Sequence, residues 1–508
     1  MLSALIWGPI VAAAAVGFWP RALTTRQWRW IALAIATVII LATMLVFSRF
    51  DLTDPGMQLR EQRAWVPLIG LDYTLGVDGL SLGLLGLNAL LTWIAISTTD
   101  DTLQRPRLFY ALILLVNGAV AGAFLSQNLL LFFLFYELEL IPFYLLIAIW
   151  GGLRRDYAAI KFLLYTAVSG ILMLVGFLGL FWLSDLNSFD YQALQSQALP
   201  LGAQILLLIT LLVAFGIKIP LIPFHTWLPD AYVEASPAVA ILLGGILAKL
   251  GTYGLVRFCM GLFPDAWSYL APSLAIWAVI CILGGALTAI SQKDIKRMVA
   301  YSSVGHMGYI LLGCAASTHL ALVGVVSQMV AHGLILALLF QAVGVIEAKV
   351  GTRELNVLNG LLNPIRGLPL VSALLITGGM ASAAIPGMVG FVAEILIFQG
   401  SYAVFPWQTL VGVVGTGLTA VYFVIMINRA CFGKLDNATA YYPKVIWSDR
   451  LPALILAVLI LALGIQPTWL VRWNEGTTAA IVETLTPETM ARTQPLTLIS
   501  AVDLRPHS

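Results

Sequence analysis

Apolar runs of roughly 20 residues recur along almost the whole chain, separated by short polar loops. A helix of that length crosses the hydrocarbon core of a bilayer. Hydrocarbon offers no partners to backbone N–H and C=O groups, so only helices or closed barrels can fill it. Barrel strands are shorter and alternate in polarity, which these runs do not. The expected fold is an all-α polytopic membrane protein. The charged fraction agrees, at 10% against about 25% in a soluble domain. A net charge of +2 gives no reason to expect nucleic acid as a partner. The surroundings are lipid.

About fourteen spans are predicted between residues 2 and 471. The first, from Leu2, has no Lys or Arg ahead of it and reads as a retained span rather than a signal peptide. Residues 50–79 are polar enough to lie outside the bilayer, with room for a short hairpin, and so is the tail after 473. Eighteen Lys and Arg fall in loops after odd-numbered spans, against Arg49, Arg60, Arg63 and Arg257 after even-numbered ones. That bias places both termini on the non-cytoplasmic side. Four cysteines (Cys259, Cys281, Cys314, Cys431) lie far apart with no CxxC. The chain therefore has no ligand set for zinc or an iron–sulfur cluster. His306 and His319 are spaced like haem ligands on one helix, but no second pair exists and haem is not expected.

Two spans are interrupted. In AFGIKIPLIPFHTWLPDA (214–231), Lys218 is followed by Pro220 and Pro223, which remove backbone donors and break a helix. In GGMASAAIPGMVGFVAEILIF, Pro386-Gly387 interrupts the twelfth span and Glu394 follows within two turns. Broken helices at membrane depth are tolerated where they line a cavity. Five spans separate the two breaks, and an odd offset inverts the second copy, as in an inverted repeat. The resulting divisions are helices 1–3 (1–106), a first repeat of helices 4–8 (107–262), a second of helices 9–13 (263–433), and helix 14 with the tail (434–508).

Ionisable residues inside apolar spans are disfavoured by roughly 2.5–3.5 kcal/mol on insertion scales and mark functional positions. Span 5, LFFLFYELELIPFYLL, holds Glu137 and Glu139. Residues two apart on a helix point about 200° from each other, so only one can face a given partner. Lys161 opens span 6 and is expected to snorkel to the surface. Lys249 sits among apolar and glycine residues in span 8, His306 in span 10 and His332 in span 11. An imidazole both gives and takes a proton near neutral pH, which suits a relay. His225 and Asp230, beyond the first break, are additional candidates.

Seven stretches in order, YELELIPFYLL, KFLLYTAVSGILML, KIPLIPFHTWLPDA, LLGGILAKLGTYGLVRF, KDIKRMVAYSSVGHMG, AHGLILALLF and IPGMVGFVAEILIF, resemble the antiporter-like membrane subunits of respiratory complex I and its photosynthetic relatives. Glu394, where related subunits and Mrp-type antiporters typically carry lysine, is similar to the NdhD/NuoM (subunit 4, chain 4) type. The YELEL spelling is most like the cyanobacterial and chloroplast form. The resemblance implies fourteen helices with two inverted five-helix repeats and a proton relay of Glu137, Lys218, Lys249, His306, His332 and Glu394, in which Glu137 pairs with Lys218. At ~5 Å and an effective dielectric of ~20 such a pair interacts by roughly 3 kcal/mol. It also implies that this chain carries no cofactor. Quinone, iron–sulfur clusters and the electron donor belong to partner subunits, among them distal and proximal antiporter-like subunits in a hetero-oligomer, in a thylakoid or bacterial plasma membrane. Tyr232 stands where the family usually has histidine, and Ala384-Ile385-Pro386-Gly387 departs from the usual span 12 opening; both fit a specialised paralogue, such as one of a CO2-uptake complex. A component of an Mrp-type Na+/H+ antiporter is the alternative.

Overall fold

A computed structural model of the chain describes every residue except 21–22, 185, 187, 198, 366, 435–441, 443–444 and 486–508. Of the basic loop residues, Arg21, Arg366 and Lys444 lie outside the described residues, as does the end of the tail. The chain is an integral, multi-pass membrane protein. Among the described residues, eleven helices are long and apolar enough to cross a membrane, and Leu2–Gly17, Pro369–Ser382 and Val389–Tyr402 are shorter apolar helices.

The chain begins with α1 (Leu2–Gly17) and α2 (Thr25–Arg49). Thr24 caps α2 reciprocally with Gln27, satisfying donors that the first turn leaves open. The polar segment then forms an antiparallel hairpin, β1 (Gln58–Val66) and β2 (Leu71–Val77), with Gln58 opposite Val77. Next come α3 (Gly79–Ser97), α4 (Pro106–Leu125), α5 (Leu129–Leu138), α6 (Leu140–Trp150), α7 (Arg155–Leu183), the short α8 (Tyr191–Gln195) and α9 (Leu201–Lys218). α10 (Trp227–Glu234) follows the first break. From Pro237 to Met260 one rod contains α11 (Pro237–Leu242), a π-helical stretch (Leu243–Leu247), α12 (Ala248–Gly254) and a second π-helical stretch (Leu255–Met260). The second half comprises α13 (Pro264–Ile290), α14 (Ile295–Ala316), α15 (His319–Val350), α16 (Pro369–Ser382), α17 (Val389–Tyr402), α18 (Pro406–Cys431) and α19 (Trp447–Ile465). α20 (Thr468–Val471) and α21 (Glu475–Leu485) close the described chain.

Burial sorts these helices into a centre and a lipid-facing ring. The rod 237–260 and α15 are buried along their entire apolar windows, and α14 nearly so, whereas α2 is about one-quarter buried. Without a hydrophobic drive between helices in lipid, close approach depends on small side chains. A Cβ on Gly285 of α13 would lie 2.5 Å from the Gly305 amide nitrogen of α14, so glycine is what lets these two backbones touch.

Each interruption has a local cause. Pro142 cannot donate to the Leu138 carbonyl, and the regular bonding lapses at Glu139 between α5 and α6, although the backbone there stays helical. α9 stops at Lys218 ahead of Pro220 and Pro223. The Trp227 indole donates to the Ile217 carbonyl at 2.8 Å, taking up one acceptor freed by the break. Between α16 and α17 the chain turns through Ala384 (φ 53°) and Gly387 (φ 89°), left-handed backbone that suits glycine.

Three expectations are corrected here. Arg257 lies within the second π-helical stretch rather than in a loop, buried and ion-paired with Asp78, the N-cap of α3. Lys161 does not snorkel freely: its ammonium is 2.8 Å from Asp230. Lys296, one of the eighteen basic residues expected in loops, is not in one. It lies in the first turn of α14, buried, donating to the Ala235 carbonyl at 2.7 Å. In all three, the helix ends pack tightly enough to draw charges inward, where a partner must meet them.

Removing one member of a buried ion pair strands the other, at about 3–5 kcal/mol. Arg257→Met is therefore expected to lower the melting temperature and the membrane content of the chain. Asp78→Asn with Arg257→Met should recover much of the loss, which thermal denaturation of the purified complex measures.

Candidate functional site: a buried line of ionisable side chains

The first break carries a buried ion pair. Lys218, on the last turn of α9, is ion-paired with Glu139, and both side chains are essentially inaccessible. The ammonium also lies over the Tyr136 ring, 4.1 Å from its centroid, an attractive placement for a desolvated cation. Tyr136 is held in turn through Ser169, 3.1 Å away, whose hydroxyl donates to the Ala214 carbonyl at 2.8 Å. The partner of Lys218 is thus Glu139, not Glu137 as expected from the resemblance. The two carboxylates, two residues apart on one helical span, point in nearly opposite directions, Glu139 to the end of α9 and Glu137 to the face toward α7. There Glu137 rests against Gly170, where any Cβ would collide with its carboxylate. Glu137 is half-buried and still lies within the field of Lys218.

Lys249 lies deeper, on the rod. Its ammonium donates to the Gly244 carbonyl at 2.6 Å and meets His332 Nδ1 at 2.7 Å. The Tyr232 hydroxyl donates to the neighbouring Leu243 carbonyl at 3.0 Å. The carbonyls of Leu243 and Gly244 open the first π-helical stretch, a geometry frequent at functional sites. Gly251, two residues beyond Lys249, packs against Lys218, whose Cβ is 3.2 Å from where a glycine Cβ would be. The two lysines therefore belong to directly packed segments.

From Lys249 the line runs on through His332 to His306 and Glu394, with no direct hydrogen bond from His332 to His306 or from His306 to Glu394. The His332 and His306 rings have centroids 5.4 Å apart. His306 Nδ1 is 2.8 Å from the Ser302 carbonyl, and its Nε2 is 3.1 Å from the Ser382 carbonyl at the second break. The same Nε2 is 3.7 Å from Glu394 Oε1. Glu394, buried on α17, also bonds Thr416 of α18 at 2.7 Å. Three buried polar atoms on candidate residues, Glu139 Oε2, His225 Nδ1 and His332 Nε2, have no hydrogen-bond partner, whereas such atoms are normally satisfied.

Two candidates stand apart. Asp230 bridges Lys161 and Arg297, at 2.8 and 3.2 Å, at the end of the bundle where Lys296, Asp294 and Arg353 also cluster. His225 is half-buried in a 3₁₀ turn after the first break, with its ring 6.2 Å from that of Tyr301. His319 is the first residue of α15, after the N-cap Thr318, and contacts the Glu475 carbonyl, in no haem-like arrangement with His306. The four cysteines are free and buried, and no cluster of potential metal ligands occurs among the described residues. Thr416, Tyr309, Ser382 and the Asp78–Arg257 pair were not singled out from the sequence. Only Asp78, ahead of the apolar run GLSLG, had a visible cue as a helix cap.

Residues 126–419 match the family model of the NADH:quinone oxidoreductase/Mrp antiporter transmembrane region. The chain belongs to this family. Within the family it is 41% identical over 495 residues to NAD(P)H-quinone oxidoreductase chain 4 1 of Synechococcus sp. (strain JA-2-3B'a(2-13)), covering 95% of this chain and 93% of that one. It is 38% identical to NAD(P)H-quinone oxidoreductase chain 4 of Acaryochloris marina, covering 99% and 96%. Among solved structures it superposes on a chain of respiratory complex I from Thermus thermophilus with TM-score 0.86 and 27% identity, covering 96% and 100%. A chain of the Mrp complex from Dietzia sp. shares the fold, with TM-score 0.84 at 24% identity. Every member of the buried line, from Glu137 to Glu394, falls inside the residues matched to the NADH:quinone oxidoreductase/Mrp antiporter family.

The geometry ranks the two span 5 glutamates. Glu139→Gln removes the direct counter-charge of Lys218 and is expected to reduce coupled turnover of the assembled complex on the order of tenfold or more. Glu137→Gln, at longer range, should have the smaller effect. Quinone reduction by membranes of the two variants, normalised to complex content, makes the comparison.

Proposed function

We propose that this chain is the chain 4 type, proton-translocating membrane-arm subunit of an NAD(P)H- or ferredoxin-driven quinone oxidoreductase. The observation that carries the reading is the buried series of neighbouring ionisable groups Lys249–His332–His306–Glu394, with the Lys218–Glu139 pair at its head. Structural ion pairs alone would not require a series of proton-exchanging groups across the bundle. The names of its relatives in Synechococcus and Acaryochloris support the same assignment.

The proposed work is done by charge separation. Two unit charges ~4 Å apart at an effective dielectric of ~20 attract by about 4 kcal/mol. Burial disfavours the charged forms of both lysine and carboxylate. While Glu139 faces Lys218, the ammonium keeps its proton. When the pair is drawn apart, the lysine loses its compensation in an apolar surrounding, and its proton moves on through water to Lys249. His332 receives it at Nδ1, His306 takes it from there, and Glu394 ends the series. The two broken helices supply the movable joints and the free carbonyls that a hydrated path needs. Glu137, near enough to feel Lys218, is a second station for the charge when Glu139 moves away. The inverted repeat relates the two breaks in this scheme.

The driving energy comes from neighbouring subunits. Quinone, iron–sulfur clusters and the electron donor reside there, while this chain carries no cofactor of its own. The proposed partners are the distal and proximal antiporter-like subunits, and the proposed location is a cyanobacterial thylakoid membrane with both termini on the non-cytoplasmic side. Tyr232 and the Ala384–Gly387 turn favour a specialised paralogue; a carbonic-anhydrase-like subunit in the purified complex would identify a CO2-uptake form. The Mrp-type Na+/H+ antiporter reading shares the fold but is disfavoured by Glu394 at the second break.

Lys218→Met and Lys249→Met are each expected to lower the protons moved per electron, or to stop coupled turnover, in complexes that assemble normally. Acidification of vesicles measured alongside quinone reduction tests this. Unchanged stoichiometry and rate in both variants would leave the chain as a static scaffold.

A further inference from the structure

Glu394 makes its one short side-chain hydrogen bond not within the line of lysines and histidines but to a threonine on α18. Its Oε2 is 2.7 Å from Thr416 Oγ1, whereas its Oε1 stands 3.7 Å from His306 Nε2. His306 Nε2 is already engaged by Ser382, through the carbonyl at 3.1 Å and the hydroxyl at 3.3 Å. Thr416 in turn lies 3.1 Å from the phenol oxygen of Tyr309 on α14, and Tyr309 is buried.

The helical context shows that this contact is not incidental. A threonine in a helix ordinarily turns its hydroxyl back to the carbonyl four residues earlier. Thr409 and Thr419 of the same helix do so, to Phe405 at 2.8 Å and to Gly415 at 3.1 Å. Thr416, between them, has its hydroxyl on Glu394 and Tyr309 instead. The approach depends on Gly415, where a Cβ would lie 2.1 Å from Ile282 Cγ2 and 3.1 Å from the Tyr309 hydroxyl. α18 is thus seated against α13 and α14 at the one turn that presents Thr416 to the carboxyl.

Two hydroxyls in series suit a carboxyl that must be stable both with and without its proton. An ionised carboxylate accepts only. Thr416 then gives its single hydrogen to Glu394 rather than to Tyr309, the two acceptors within its reach. A protonated carboxyl donates to Thr416, whose own hydrogen swings to Tyr309. Hydroxyl hydrogens rotate to suit their partners, so the change needs no movement of heavy atoms.

We propose that Thr416, backed by Tyr309, is a positioning residue for Glu394, a reversible hydrogen-bond clamp that holds the carboxyl opposite His306 in both of its protonation states. The proposal rests on the reading of Glu394 as a proton station. It adds α18, a helix outside the line of charged residues, to the groups that govern the last transfer. Serine retains the hydroxyl and valine retains the shape without it.

The test uses the assembled complex in membranes, with reduced ferredoxin as donor and decylplastoquinone as acceptor. Redox-induced infrared difference spectra follow the carbonyl stretch of protonated Glu394, assigned by its loss in Glu394→Gln. Thr416→Val is expected to move that band to higher frequency and to slow proton-coupled turnover about tenfold, the scale of one lost hydrogen bond to a charged group. Thr416→Ser should restore both. Tyr309→Phe should shift the band in the same direction by less, and it stands in if the valine variant fails to assemble. A band and a rate unchanged in Thr416→Val, or in Tyr309→Phe where that variant stands in, would overturn the proposal; so would a serine variant as impaired as the valine one. If Glu394→Gln itself leaves proton movement intact, it is the relay reading that fails, not the clamp geometry alone.

Discussion

The ion pair of Lys218 and Glu139 is the interaction on which the rest of the arrangement turns. Neither side chain is exposed, and an unpaired charge at that depth is heavily disfavoured. The charge can be there only because the helix that carries it stops. At Pro220 and Pro223 the backbone gives up its regular bonding, and the space around the break admits a carboxylate from another interrupted helix. A lapse in the bonding of one span and a break in another therefore meet at this pair.

The same logic runs through the bundle. Where backbone regularity is lost, at the π-helical stretch of the rod and at the turn between α16 and α17, a polar side chain takes up the freed carbonyl: Tyr232 and Lys249 in the first case, His306 in the second. In hydrocarbon the freed groups must be met by protein or water. The sites of helix irregularity and the sites of ionisable side chains coincide for that reason. The centre of the molecule, the rod with α14 and α15, is the most deeply buried part, and it holds Lys249, His306 and His332. A low-dielectric surrounding strengthens every interaction among them, which suits a device that responds to small displacements of charge.

Charge at the ends of the bundle has a different role. Asp230 joins Lys161 and Arg297, and Arg353 joins Asp294 and Glu347. Arg257 and Asp78 form a buried pair between the rod and α3. These contacts tie helices together within multidentate clusters and stand outside the line from Lys218 to Glu394. Asp230, a candidate on its residue type and position, finds its explanation among them.

The sequence by itself determined the membrane class, the polar hairpin between the second and third helices, the two breaks and the ionisable residues of the line from Lys218 to Glu394, though not the buried Asp78, Arg257 and Lys296. Each of these follows from a local property, the length of an apolar run, a proline without a donor, or a charge with apolar neighbours. Which side chains touch was decided only in the tertiary structure. Glu137 and Glu139 are alike in composition and neighbours, and the rotation of their span against α9 is what sends Glu139 rather than Glu137 to Lys218. The order Lys249, His332, His306 is not chain order, because α15 lies between the rod and α14 at that level. Thr416 left no mark in the sequence, since a threonine between two glycines in an apolar helix is unremarkable until the facing helices place a carboxyl and a phenol beside it. Local chemistry is written residue by residue, whereas pairing depends on helix rotation and on approach distances that only packing sets.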